Sequence, residues 1–135
     1  MFEPVSIPYG ATMLFNTVTL KPGVSLDEAE LAIGEMCSVV KDLFGGDKGG
    51  FVAGQVFRFA GFISDEGSLG EAKTATPHIA IVTYWRSFGE HEKSHADHLF
   101  KARFSALAQL CADSTELGYE MLWQGAAAPP GLATG

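Results

Sequence analysis

Two capping boxes divide this chain into helical and extended segments. Ser25 with Glu28, and Ser87 with Glu90, each place a hydroxyl and a carboxylate three residues apart, as at a helix N-terminus. The predicted elements are a strand at 11–20, a helix from 25 to about 44, strands at 51–59 and 78–85, a helix from 87 to about 112, and a strand at 115–124. That order, β-α-β-β-α-β, predicts an α+β ferredoxin-like fold. Because helices would cover only one face of its sheet, pairing into a dimeric α/β barrel is expected.

Length and composition fit a single domain. The chain has 135 residues, 47% of them hydrophobic, which suffices for one core. We expect a domain at 11–124 between an N-terminal arm at 1–10 and a flexible tail at 125–135. A net charge of −7 argues against nucleic-acid binding, and no apolar run is long enough for a membrane span. Two cysteines and the lack of a signal peptide pattern favour a cytoplasmic location.

The predicted second helix carries two histidines, His91 and His95, in the sequence His-Glu-Lys-Ser-His. Residues four apart on a helix share a face, so both imidazoles can reach one metal ion. His98 is expected on the same face, two turns from His91. The third ligand of such a site is usually a carboxylate. Glu116 and Glu120 share one face of the predicted last strand, and either could supply it.

The same motif allows other interpretations. His-Glu-x-x-His is the signature of zinc metalloproteases, in which the glutamate, here Glu92, is the general base. Lys93 places a charge inside a motif that normally lies on a buried helix, and the β-α-β-β-α-β order does not provide the usual protease cleft. A zinc hydrolase is therefore the alternative hypothesis. Glu92 could also be a solvated residue near a helix N-terminus. A heme-associated monooxygenase, or a non-enzymatic dimeric barrel with structural histidines, are the remaining alternatives.

The region around the motif resembles the sulfur oxygenase reductases. The resemblance is carried by Thr-Tyr-Trp at 83–85, by His-Glu-x-x-His at 91–95, and by Glu116 followed by Tyr-Glu at 119–120. It extends over roughly 11–124, which corresponds to the N-terminal half of the family's longer chain. The segment between the second histidine and the glutamate is shorter than in the family, and the family's further cysteines on this helix have no counterpart.

The resemblance implies a mononuclear non-heme iron oxygenase acting on sulfur or a related small substrate with O₂. His91, His95 and Glu116 match the iron ligands, and Cys37 matches a catalytic cysteine that holds a persulfide. Three residues are then expected to orient the ligands from outside the coordination sphere: His98, Glu120 and Glu92. Two histidines and a carboxylate leave coordination positions open, which suits Fe(II), with zinc as the alternative. The open face of the sheet, rather than the family likeness, predicts a homodimer or larger homo-oligomer. Taken alone, Cys37 on an apolar helical stripe is typical of a small buried hydrophobe.

Overall fold

The computed structural model describes residues 2–70 and 76–128 and confirms the ferredoxin-like α+β fold. Its elements are β1 Thr12–Leu20, α1 Leu26–Phe44, β2 Phe51–Arg58, β3 Ile79–Trp85, α2 Phe88–Ser94, α3 His98–Ala108 and β4 Cys111–Tyr119. A short 3-10 turn, Gly46–Lys48, follows α1. The four strands form one antiparallel sheet in the order β2-β3-β1-β4. The strand β4, which carries Glu116, is therefore an edge strand.

The helix α1 begins and ends where its sequence predicts. The Oγ of Ser25 accepts a hydrogen bond from the backbone N–H of Glu28 at 3.2 Å, which satisfies a donor that the first turn leaves free. At the other end the chain leaves the helix through Gly45 and turns at Gly46, whose φ of +57° lies in the left-handed region. The buried face of α1 carries Ala29, Ile33 and Val40. These side chains hold α1 on the sheet.

Two apolar clusters form the core between the sheet and the helices. The first cluster contains Val18, Ala29, Ile33, Ile79, Ile81 and Leu107. The second cluster contains Leu14, Val40 and Trp85. Trp85 is 2% exposed, and its ring lies edge-on to the ring of Phe51 at a centroid distance of 5.4 Å. Burial of an aromatic side chain of this size contributes strongly to stability.

The prediction of one continuous second helix was wrong. The helix α2 ends at Ser94, and α3 begins after Asp97, whose carboxylate accepts a hydrogen bond from the backbone N–H of Phe100 at 2.9 Å. Since aspartate caps helices well, this side chain starts a new helix rather than continuing the old one. His98 is consequently the first residue of α3 and is exposed, and it does not continue the face of His91 two turns further along one helix as predicted.

The last strand also differs from its prediction. Because α3 ends at Ala108, β4 begins at Cys111 rather than at 115, and it ends at Tyr119 rather than at 124. Residues 2–10 and 120–128 contain no helix or strand, and the side chain of Gln124 donates a hydrogen bond to the carbonyl of Ile7 at 2.7 Å. The predicted tail lies outside the described residues from 129 onward. Within the part of the chain that is described, no helix is long and apolar enough to cross a membrane.

The sheet face turned away from the helices is apolar in part. Side chains alternate along a strand, so Leu14 and Val18 of β1 point to the core and Phe15 points to the opposite face. Phe15 pairs with Leu117 of β4, which is 53% exposed. The ring of Phe15 lies edge-on to that of Tyr119 at a centroid distance of 6.4 Å. In the described residues the helices all lie on the other side of the sheet, as the fold requires.

Candidate metal centre

A charged cluster fixes the start of α2. The backbone N–H of Glu90 donates to the Oγ of Ser87 at 3.2 Å, as the capping box predicts. Arg86 donates to the carboxylate of Glu90 at 2.8 Å and to that of Asp47 at 2.9 Å. The hydrogen bond from Arg86 lowers the pKa of Glu90. The backbone N–H of Arg86 also donates to the carbonyl of Gly50 at 2.9 Å, so the helix is tied to the turn after α1.

Two imidazoles project from the middle and the C-terminal end of α2. His91 is 4% exposed, and its ring meets the buried ring of Trp85 edge-on at 5.2 Å. His95 caps the helix, and its ring stacks on that of Phe100 at 5.2 Å with an interplanar angle of 7°. The two Nε2 atoms lie 3.1 Å apart. Aromatic neighbours therefore hold both rings with their Nε2 atoms directed at one point.

The edge strand brings a carboxylate to the same point. Glu116 pairs with Asn16 of β1, and by alternation with Leu14 and Val18 both side chains lie on the helix side of the sheet. The Oε2 of Glu116 lies 3.3 Å from the Nε2 of His91, and its Oε1 lies 3.8 Å from the Nε2 of His95. The structure therefore brings Glu116 to the histidines, whereas Glu120 lies one residue beyond the end of β4.

Glu92 lies on the opposite side of the two rings. Its Oε1 is 3.2 Å from the Nδ1 of His91, and its Oε2 is 3.8 Å from the Nδ1 of His95. Each imidazole thus has one carboxylate near its Nδ1 and another near its Nε2. Burial raises the pKa of Glu116, but its hydrogen bond to His91 and the charges of His91 and His95 outweigh this, so the net pKa is lowered.

The spacing of the three converging atoms suits a divalent metal ion. One Nε2 from each histidine and one carboxylate oxygen of Glu116 all lie within 4.8 Å of one another. Ligands held about 2.1 Å from an ion at tetrahedral or octahedral angles lie about 3.0–3.4 Å from one another. The 3.1 Å between the two Nε2 atoms and the 3.3 Å from the Nε2 of His91 to the Oε2 of Glu116 match this spacing, whereas the other oxygen, Oε1, lies 3.8 Å from the Nε2 of His95. A small rotation of the carboxylate would close the difference, so the residues fit a metal ion.

The other predicted site residues lie apart from this centre. Cys37 of α1 packs against the first apolar cluster, and burial raises the pKa of its thiol. Among the described residues, no hydrogen bond or ion pair joins Cys37 or His98 to His91, His95 or Glu116. Outer roles for His98 and Glu120, and catalysis by Cys37, stay predictions.

Sequence patterns missed several residues that shape the centre. Trp85 and Phe100 each contact one of the histidine rings. Asn16 is a polar residue on the core side of β1, where its Nδ2 donates to the carbonyl of Ile81 at 3.2 Å. A polar residue at a core position of an alternating strand is a usable signal, because burying it is costly without partners.

The comparisons with known proteins show the fold. No protein-family model and no curated protein matches the chain. A proposed antibiotic biosynthesis monooxygenase from Caulobacter crescentus CB15 has a TM-score of 0.59 at 15% identity, covering 85% of this chain and 92% of that one. A dimeric ferredoxin-like protein of unknown function from Thermobifida fusca has a TM-score of 0.59 at 11% identity, covering 88% of this chain and 100% of that one. A variant of SnoaB, a cofactor-independent oxygenase from Streptomyces nogalater, has a TM-score of 0.56 at 15% identity, covering 90% of this chain and 98% of that one.

One of these structures is described as ferredoxin-like, and the other two are described as a monooxygenase and an oxygenase. At such low identity the likeness concerns the backbone alone, because one fold hosts many reactions. SnoaB is described as cofactor-independent, so the fold by itself does not imply a metal. The resemblance to sulfur oxygenase reductases is not carried by these comparisons and stays a prediction.

Proposed function

We propose that this chain is a mononuclear, non-heme metal oxygenase whose ion is held by His91, His95 and Glu116. The observation that carries the proposal is the convergence of two Nε2 atoms and a carboxylate within 3.1–3.8 Å. Three such acceptors repel one another unless a proton or a metal ion lies between them. In the described residues no lysine or arginine forms an ion pair with Glu116. A divalent ion would supply the positive charge.

The ligand set favours Fe(II) and O₂ chemistry. Two histidines and one carboxylate occupy one face of an octahedral ion and leave the other positions open, as in non-heme iron oxygenases. Bound iron would supply the redox chemistry that O₂ requires. Trp85 and Phe100 give the centre apolar walls, while the side chains of His95 and Glu116, 37% and 35% exposed, leave it accessible. The occurrence of oxygenases on this fold supports the proposal by analogy.

A zinc hydrolase is the second candidate, because the sequence His-Glu-x-x-His favours it. In such an enzyme the glutamate must reach a water molecule on the metal, and therefore on the Nε2 side of the rings. The carboxylate of Glu92 lies on the Nδ1 side of both rings instead. The position of Glu92 thus argues against hydrolysis by this mechanism.

The sulfur substrate and the role of Cys37 depend on the family resemblance. A cysteine that carries sulfur acts as a thiolate, and a raised pKa disfavours that form. The ligand set itself does not require a cysteine. We therefore propose a small substrate oxidised at the metal, with sulfur as the first class to assay and Cys37 as a separate prediction.

We also propose a homodimer formed through the open face of the sheet. Leu117 and Tyr119 on this face are 53% and 45% exposed, and burying such side chains favours association. The fold occurs in a protein described as dimeric, which supports this arrangement. Light scattering after size exclusion should show twice the chain mass for the parent and mostly monomer for Leu117→Glu. The matched control, Leu99→Glu on α3, also changes a half-exposed leucine and should remain dimeric. Equal masses for both variants would contradict the proposed interface.

The metal proposal is tested by elemental analysis and optical spectroscopy of one sample loaded anaerobically with Fe(II). About one iron per chain and no Soret band are expected. Oxygen uptake with polysulfide, and then with other small reductants, tests the reaction. Retention of zinc with hydrolytic activity would favour the second candidate, and a Soret band would favour the heme alternative. Absence of stoichiometric metal after loading would refute the proposal.

A further inference from the structure

We infer that Glu92 is a positioning residue that holds both imidazoles with their Nδ1 atoms protonated and their Nε2 atoms free to bind metal. The inference rests on the proposed function, because it explains how the ligand atoms are prepared. The two oxygens of Glu92 face the two Nδ1 atoms, at 3.2 Å from His91 and 3.8 Å from His95. A neutral imidazole carries one N–H, so donation from Nδ1 leaves the Nε2 lone pair available.

Helix geometry explains how one carboxylate reaches both rings. Glu92 follows His91 directly and precedes His95 by three residues, which places it beside the next turn. Its carboxylate therefore lies between the outer edges of the rings, while Glu116 approaches their inner edges from β4. The same spacing that suits a catalytic base in hydrolases here gives a carboxylate–histidine–metal arrangement.

The strength of this hold differs between the two rings. The contact to His91 has hydrogen-bond length, and the ring is almost fully buried. The contact to His95 is longer than a hydrogen bond and remains within ion-pair distance. The side chain of Glu92 is 69% exposed, so water competes with both contacts. We therefore expect an effect near the lower end of the 10–100-fold range typical of such outer partners, or about tenfold in metal affinity.

The first test measures Co(II) and Fe(II) affinity by competition with a chelator for the parent, Glu92→Ala and Glu92→Gln. Glu92→Ala should bind about tenfold more weakly, and Glu92→Gln should fall between, because an amide offers one acceptor oxygen where the carboxylate offers two. Lys93→Gln is the matched control on the same turn and should bind like the parent. Unchanged affinity in Glu92→Ala would overturn the inference. A loss of turnover in Glu92→Gln with parental affinity would also overturn it, since that result identifies a catalytic base.

The second test does not depend on metal. Long-range ¹⁵N–¹H correlation spectra of the metal-free protein report which ring nitrogen carries the proton. In the parent, Glu92 at Nδ1 and Glu116 at Nε2 compete for the ring proton of His91. The parent should therefore show more of the Nδ1–H tautomer at His91 than Glu92→Ala, which leaves donation from Nε2 to Glu116 without a competitor. Identical tautomers in both proteins would refute the inference even if the metal site is real. Conversely, a shifted tautomer in a protein that binds no Co(II) would leave Glu92 as a positioning residue and refute the proposed function.

Discussion

Two carboxylates on the short helix α2, Glu90 and Glu92, lie in opposite electrostatic surroundings. Glu90 accepts hydrogen bonds from Arg86 at 2.8 Å and from the hydroxyl of Ser87 at 3.1 Å. Its negative charge is thus balanced by a permanent cation. Glu92 is largely exposed and lies near two imidazole nitrogens, and the described residues place no arginine or lysine in an ion pair with it. In the cluster around Glu90 the acceptors have matching donors, whereas the cluster around the two histidines has more acceptors than donors.

The cluster around Glu90 supports the structure of the helix, whereas the cluster around the two histidines is suited to bind a metal ion. Donors matched to acceptors satisfy one another and fix the helix, as the links from Arg86 to Asp47 and Gly50 do. Converging acceptors such as Glu116 and the two Nε2 atoms are unfavourable without a cation, and proteins keep such arrangements mainly where a metal binds or a proton moves. We therefore expect changes in the cluster of Arg86 and Glu90 to affect the free energy of unfolding. Changes in the cluster of Glu116 and the two histidines should affect metal binding.

The largest expected effect is on metal binding in His91→Ala. Loss of a direct ligand should weaken the affinity by more than the roughly 10–100-fold typical of outer partners, so that no stoichiometric metal survives a desalting column. Because His91 is buried, we also expect a loss of about 1–3 kcal/mol in the free energy of unfolding. Metal analysis and urea unfolding measure the two effects separately.

The control for this variant is His78→Ala. His78 is partly exposed, and its ring stacks on that of Phe59 at a centroid distance of 5.1 Å. The variant therefore removes a histidine that lies outside the two clusters. It should retain the parental metal content. If His91→Ala binds as much metal as His78→Ala does, the assignment of the ligands is wrong.

A smaller effect, on stability alone, is expected for Gly50→Ala. Gly50 has a φ of +84°, and an added Cβ would collide with the carboxylate of Glu90. The backbone conformation should cost about 1–2 kcal/mol, with a further loss because the carboxylate must move. Urea unfolding gives the total. Gly61→Ala is the matched control, with a φ of +82° and no atom within 4 Å of an added Cβ. Equal losses in the two variants would show that the contact with Glu90 adds nothing.

The order of the elements could be predicted because local signals mark it. Both capping boxes lie at real helix starts, and the glycines after Phe44 mark the end of α1. The break between α2 and α3 was missed because the histidines at 91, 95 and 98 keep helical spacing across it. The capping side chain of Asp97 was the available signal, but a single aspartate does not outweigh that periodicity. The late start predicted for β4 followed from placing the end of the helix at about 112 rather than at Ala108.

The candidate centre was predicted only in part, for a different reason. Helical spacing brings His91 and His95 together, because that relation is local. The choice between Glu116 and Glu120 depends on the register of β4 against β1, which sequence alone does not fix. The position of Glu92 depends on how the two rings are rotated, and contacts with Trp85 and Phe100 set that rotation. No pattern of residues encodes such side-chain angles.

The smallest expected effect concerns Cys37, which belongs to neither carboxylate cluster. Burial disfavours the charged thiolate and raises its pKa, so at neutral pH less thiolate is present than in a free cysteine. Alkylation by iodoacetamide at pH 7.5 should be at least about tenfold slower in the native protein than in urea, measured by mass spectrometry. The native rate should keep rising with pH beyond the point where a free cysteine levels off.

The substitution Cys37→Ser separates this thiol from the metal centre. Metal content should be unchanged, since Cys37 packs against apolar residues and no described hydrogen bond or ion pair joins it to His91, His95 or Glu116. The family resemblance predicts that sulfur-dependent oxygen uptake is lost in this variant, whereas the raised pKa predicts a thiol that is rarely available for such a role. Rapid native alkylation together with lost uptake would establish Cys37 as a sulfur carrier. Slow alkylation with unchanged uptake would confine the chemistry to the cluster of His91, His95 and Glu116, where the uncompensated acceptors lie.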